Sequence, residues 1–332
     1  MTLGPTRFVS SGSLPSAERV QQALQEAYLR FRSEGDGAVS DVYPLLSQAD
    51  PAAFGLCVTS VDGGVYQAGQ AVSPFPIMSV SKPFVFALVC EQVGLEQLRA
   101  MVGVNATGMP FNSVQAVERA QSGRTNPMVN SGAITTTSLF EGTSVNQRCD
   151  RMLEGLSLFA GRHLTMDEET LESARGSNHR NRSLANLLTS KGALAGDPME
   201  AVDLYTRQSC VSVTAHDLAV MGATLADGGV NPVTGQSVVD PETAHATLAV
   251  MTIAGMYETS GDWLLDVGMP AKSGIGGGIV CVSPGKGALG SFSPLLDEAG
   301  NSVRGQLAAK DLARRLGLDV LTSEPIPTPR TS

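Results

Sequence analysis

The chain has 332 residues, with 32 acidic against 23 basic side chains and a formal charge of −9 at pH 7. It holds five lysines (Lys82, Lys191, Lys272, Lys286, Lys310), too few for the basic stripe that a phosphate backbone requires, so no nucleic-acid partner is expected. No run approaches the ~18 apolar residues of a membrane span, and the opening MTLGPTRFVSSGS lacks a signal peptide's apolar stretch, so a cytoplasmic protein with no membrane partner is expected.

Val20, Leu24, Ala27, Tyr28 and Phe31 recur at helical spacing after Pro15, which predicts an amphipathic opening helix ending at the glycines of EGDG. Phe54, Leu56 and Val58 then alternate with smaller residues, Asp62-Gly63-Gly64 supplies turn chemistry, and Val65-Tyr66 resumes the pattern, so 53–69 reads as a hairpin. From Ser79 to Val93 apolar residues crowd every side, as in a helix buried all round. The stretch 95–225 is helical between Gly, Asn and Pro clusters. Thr214 and Asp217 form a capping-box start, and Asp240-Pro241 opens another helix. Short β runs return after Gly274, around Pro284-Gly285-Lys286-Gly287.

The order β, helices, β predicts an α+β protein whose antiparallel sheet draws on both ends of the chain, flanked by helices and with a helical region inserted. The expected division is 15–94 plus 212–320 for the sheet domain, 95–211 for the helical region and 321–332 for a flexible tail. The five cysteines are odd in number and never spaced as CxxC, so reduced, buried thiols are expected rather than disulfides. The four histidines show no ligand spacing, and neither metal nor cofactor is expected.

Ser79-Val80-Ser81-Lys82 is an S-x-x-K motif at the start of the buried helix. At i and i+3 the two side chains share a face, so Lys82 is placed to take the proton of Ser79 if burial keeps its amine neutral. Ser283-Pro284-Gly285-Lys286 repeats the pattern by coincidence and reads as a surface turn. Lys272-Ser273-Gly274, ahead of a glycine-rich β run, supplies the K-[ST]-G element that accompanies S-x-x-K in penicillin-recognising serine enzymes. A β-lactamase fits poorly, since the nearest match to its S-D-N triplet is Ser144-Val145-Asn146.

The segments MSVSKPF, FNSVQAVE, TNPMVNSGAI, HRN, DLYTRQSCVSVT, LADGGVNPVTG, GMYETSGDW and AKSGIGGGI, spread between Gly37 and Leu318, resemble the bacterial and mitochondrial glutaminases. The resemblance implies a β-lactamase/transpeptidase-like fold, glutamine or a related amide as a small-molecule substrate, no cofactor, and a homodimer or homotetramer. It implies Ser79 as nucleophile, Lys82 as its base and Tyr257 as an aid to proton transfer. Asn130, Asn181, Tyr205 and Tyr257 would bind substrate, the N–H groups of Ser79 and Ile275 would form an oxyanion hole, and Lys272 would support the site.

Three positions depart from the family. Its Asp-Tyr-Ile-Pro is Asp41-Val42-Tyr43-Pro44 here, so Val42 stands where the site tyrosine belongs and an extended chain would point Tyr43 the wrong way. Met78 replaces the glutamine before the nucleophile. Ala174 replaces the glutamate that pairs with the substrate ammonium, with Glu172 two positions away as the available carboxylate. An L-glutamine amidohydrolase is the leading reading. The alternatives are a serine amidase or esterase of the same fold with an altered substrate, and a catalytically weak scaffold.

Overall fold

The computed structural model describes residues 12–323. The first eleven residues, and residues 324–332 of the expected tail, lie outside them. Helix α1 (Ala17–Phe31) buries Val20, Leu24 and Ala27, and the expected hairpin follows as β1 (Gly55–Ser60) and β2 (Val65–Gly69). After β3 (Phe75–Pro76), a 3-10 turn at Met78–Val80 leads into α2 (Ser81–Val93), where every residue from Ser81 to Cys90 is buried. Complete burial explains the absence of a polar stripe.

The helical stretch holds α3 (Leu95–Met101), α4 (Val114–Arg119), α5 (Asn130–Ser138), α6 (Val145–Ala160), α7 (Glu168–Ser177), α8 (His179–Ser190) and α9 (Pro198–Ser209). Two short strands lie within and after it, β4 (Thr165–Met166) and β5 (Val211–Val213). Helix α10 (Ala215–Ala226) starts at the predicted capping box, and α11 (Pro241–Ala254) has its proline in the first turn. The chain closes with α12 (Ser260–Asp266), β6 (Ala271–Ser273), β7 (Gly278–Ser283), β8 (Gly287–Phe292) and α13 (Val303–Leu316).

The main sheet is antiparallel in the order β2-β1-β8-β7-β6, with Val58 opposite Leu289 where the two ends of the chain meet. Leu56, Val58, Ile279, Cys281 and Leu289 face α1 and α13, against Val20, Leu24 and Leu312. The alternate residues Val280 and Val282 join the larger core with Phe84, Phe159 and Leu218. Both faces are covered, so these strands read as apolar runs rather than as a clean alternation. Helix α10 lies so close to the sheet that a Cβ on Gly290 would stand 2.1 Å from the Ala215 carbonyl oxygen. A further cluster, with Ile134, Leu184, Leu188, Ala201 and Tyr205, joins α5, α8 and α9.

Two readings of the sequence need correction. Strands β3, β4 and β5 form a second sheet in the order β3-β5-β4, and at two or three residues each they are too short to show a period. Ser283 and Lys286 do lie at the β7–β8 turn, but their side chains are buried: Ser283 donates to the Leu318 carbonyl and Lys286 to that of Gly317. The second S-x-x-K is therefore a clamp on the end of α13, where a cation suits the free carbonyls. All five cysteines are free and buried. No single helix among the described residues is long and apolar enough to cross a membrane.

Candidate active site

Ser79 sits in the 3-10 turn that joins β3 to α2. Met78, just before it, has φ of 49°, and Tyr257, which opens the 3-10 turn Tyr257–Thr259, has φ of 55°. Side chains rarely occupy this left-handed region, and such strain collects where surrounding structure over-determines the backbone. Around Met78 the restraint is visible. The Ser81 hydroxyl donates to the Met78 carbonyl at 2.7 Å, Gln208 donates to Ser81 Oγ at 3.3 Å, and Thr137 donates to Gln208 Oε1 at 2.7 Å.

Lys82 is 2% exposed and makes no ion pair among the described residues. Its amine donates to Asn130 Oδ1 at 2.8 Å and to the Met128 carbonyl at 3.3 Å, with the Tyr205 ring centre 5.9 Å away. Burial brings its pKa down to about 7, so a large neutral fraction exists at neutral pH. The expected hydrogen bond from Lys82 to Ser79 is not formed among the described residues. Ser79 belongs to the 3-10 turn that precedes the α-helix, and Asn130 and Met128 take the amine. Catalytic hydrogen bonds are commonly long in unliganded sites and shorten with substrate.

Tyr257 closes the other side. Its hydroxyl donates to the Ser273 carbonyl at 3.2 Å, and the Phe111 ring centre lies 4.7 Å from its own. Burial raises the pKa of the phenol, opposed by a hydrogen bond with the Ser79 side chain. Lys272 is fully buried on edge strand β6, donates to the same Ser273 carbonyl at 2.5 Å and lies 4.2 Å from the Tyr257 ring centre. Burial first, and the neighbouring Lys82 second, hold its pKa well below the ordinary lysine value. Ser273 Oγ is buried with no hydrogen-bond partner among the described residues. A Cβ on Gly274 would stand 3.2 Å from the Ser79 nitrogen, so the chain entering Ile275 runs alongside the nucleophile's amide.

Asn130, at the start of α5, takes two donors on Oδ1, from Lys82 and from the Tyr205 hydroxyl at 3.1 Å. Its Nδ2 donates to Asn181 Oδ1 at 3.0 Å. Ser79, Lys82, Asn130, Asn181, Tyr205, Tyr257 and Lys272 thus fall in one neighbourhood, with Ile275 at its edge. Sequence reasoning missed Phe111, Gln208, Thr137 and Asn178. Gln208 stood in plain view within DLYTRQSCVSVT, but only the fold aims it at Ser81.

The departures resolve differently from expectation. Residues 42–45 form bends and turns rather than an extended strand, with Val42 51% exposed and Tyr43 turned inward. Tyr43 packs against the cluster of Leu171, Ala174 and Cys210, and the Tyr205 phenol's pKa is raised by burial first and by the nearby Tyr43 second. The pKa of Tyr43 itself is pushed up to about 12 by burial. Tyr43, and not Val42, therefore faces inward. Glu172 is exposed on α7, on the side away from the buried Ala174.

Ala174→Glu would set a carboxylate among Leu171, Cys210 and Tyr43, at a position 1% exposed. We expect it to lower unfolding free energy by about 1–3 kcal/mol without improving glutamine turnover, measured by denaturant melts and ammonia release. A gain in turnover at unchanged stability would show that the pocket beside Ala174 is open to substrate.

An antiparallel sheet with a buried S-x-x-K helix behind it and K-S-G on its edge strand defines an α+β protein of β-lactamase-like fold. The glutaminase profile matches residues 37–321. The chain belongs to the glutaminase family. A protein named Glutaminase 2 from Yersinia pestis is 57% identical over 318 residues, covering 96% of this chain and 94% of its own. Among solved structures, one described as probable glutaminase ybaS gives a TM-score of 0.91 at 41% identity, covering 93% of this chain and 100% of that one. Mglu in its glutamate form gives 0.88 at 39% identity, over 92% of this chain and 70% of its own.

Proposed function

We propose that this amidohydrolase converts L-glutamine to L-glutamate and ammonia through an acyl-serine intermediate on Ser79. The carrying observation is a buried lysine, pKa about 7, two residues into the helix that Ser79 precedes, joined to the asparagine and tyrosine groups of one pocket. Ser79 Oγ attacks the side-chain amide carbon and its proton passes to the neutral Lys82 amine. The N–H groups of Ser79 and Ile275 hold the oxyanion. The C–N bond then breaks, and nitrogen leaves as ammonia with a proton returned by Lys82 or relayed by Tyr257. Water attacks the acyl carbon by the same route in reverse, releasing glutamate and restoring Ser79.

Asn130, Asn181 and Tyr205 offer donors and acceptors for the amino-acid end of the substrate. Tyr43 replaces the family tyrosine from one position later in the chain. The test is ammonia release from glutamine compared with a panel of amides and esters, together with covalent labelling by an electrophilic glutamine analogue. A label on Ser79 supports the reading; turnover of esters without glutamine turnover would favour an altered substrate. The sheet domain with its helical insert, a homodimer or homotetramer and a cytoplasmic setting belong to the same reading. Light scattering tests the assembly.

Lys272 enters as a support. Burial is the cause that lowers the Lys82 pKa, and Lys272 is not among its causes, whereas Lys272 is held low by burial first and by Lys82 second. Lys272→Met is expected to lower kcat/KM about tenfold or more, through loss of the contacts that fix Tyr257 and Ser273, while the acid limb of the pH profile stays near 7. An acid limb that moves upward would show that Lys272 carries charge.

A further inference from the structure

Asn178 is absent from every reading of the site made from sequence. It occupies the N-cap of α8, where an asparagine side chain ordinarily accepts from the helix's first free N–H groups. Here it makes no such bond. It is 4% exposed and is turned sideways, accepting from Asn181 Nδ2 at 2.5 Å through Oδ1 and donating to Thr206 Oγ1 at 2.5 Å through Nδ2.

These two bonds complete a directional chain. The Thr206 hydroxyl donates to the Val202 carbonyl of α9 at 2.6 Å. Its single proton is thereby spent, so toward Asn178 it can only accept. Asn178 must then present Nδ2 to Thr206 and Oδ1 to Asn181. Asn181 in turn presents Oδ1 to Asn130 Nδ2, and Asn130 is left with Oδ1 facing Lys82 and the Tyr205 hydroxyl. A reversed Asn130 amide would aim N–H groups at two donors. The amide sense at the site is therefore set by a backbone carbonyl on α9, the helix that also carries Tyr205.

We propose that Asn178 is a positioning residue that, with Thr206, fixes the amide orientation of Asn181 and Asn130 and so holds the Asn130 oxygen toward Lys82. The role rests on the acyl-serine reading above, in which Asn130 and Lys82 act on substrate. It explains why an N-cap asparagine forgoes its cap, and it needs no contact between Asn178 and substrate.

Two measurements separate this proposal from the reading beneath it. Side-chain amide hydrogen exchange of ¹⁵N-labelled protein reports the chain without any substrate. In wild type the Asn130 and Asn181 side-chain amides should be protected, and Asn178→Ala should release both by at least tenfold. Glutamine kinetics then report the consequence. Asn178→Ala and Thr206→Val should each lower kcat/KM by tenfold or more, and the double variant should be no worse than the poorer single one, because both break one chain. Asn178→Asp keeps an acceptor for Asn181 but loses the N–H that Thr206 accepts, so it should protect the Asn181 amide better than Asn178→Ala does while kcat/KM stays below wild type. Asn130 and Asn181 amides that stay protected in Asn178→Ala would overturn the proposal whatever the substrate. So would a lower melting temperature in both single variants with kcat/KM within twofold of wild type, or multiplying losses in the double variant. A wild-type protein that leaves glutamine intact but shows the exchange pattern would refute the functional reading and leave the orientation chain standing.

Discussion

Ser79→Ala abolishes ammonia release from glutamine, with kcat down by about ten-thousandfold or more, as removal of a covalent nucleophile does in enzymes whose catalytic groups act as a unit. The protein stays folded. Ser79 is 9% exposed in a 3-10 turn whose backbone is held by Ser81, Gln208 and Thr137 rather than by the Ser79 hydroxyl itself. The far-UV spectrum and melting temperature should match wild type, and an electrophilic glutamine analogue should no longer attach. Hydrolysis at a tenth of the wild-type rate would remove the covalent route.

Lys82→Met produces a loss of the same order, and the double variant with Ser79→Ala is little worse than either single one. Methionine keeps the volume of the side chain, which matters in a helix buried from Ser81 to Cys90. The pH dependence gives the sharper test. Lys82 serves as a base only when neutral, and burial sets its pKa at about 7. Wild-type kcat/KM therefore climbs as pH rises through about 7 and levels off above it, because protonation below that value removes the base. Lys82→Met retains no such limb. A wild-type profile flat from pH 6 to 9 would show that the lysine is not the titrating base.

Elements with a strong local signal were legible before the structure. Helix α1, the β1–β2 hairpin, the all-round apolar α2, the Thr214 capping box and the β7–β8 turn each carry their cause within a few residues. The gathering of Ser79, Lys82 and Lys272 was legible because two short motifs name it. What stayed hidden depends on distant groups. Strands of two residues have no period to detect. Tyr43 turns inward and Val42 outward because the backbone bends there, which alternation along an extended chain cannot foresee. Lys286 looked like a turn residue because nothing near it in sequence reveals Gly317 waiting 31 residues on. Asn178 gave no signal because its partners, Asn181 and Thr206, lie on two different helices.

The pairing of β1 with β8 has a kinetic consequence. More than two hundred residues separate Val58 from its partner Leu289, so the central strand pair closes the longest loop of any strand pairing in the two sheets and its entropy must be met before any of its hydrogen bonds form. A chain emerging from the ribosome makes α1 and the β1–β2 hairpin first, and β1 then waits with one edge bare until β8 appears. The intervening helices carry their own apolar cluster and are free to condense meanwhile. Refolding should accordingly show an early helical phase and a slower phase in which the sheet zips shut. During that interval the bare edge of β1 is the surface most open to pairing with another chain, and holdase chaperones that cover extended strands would raise the yield of native protein.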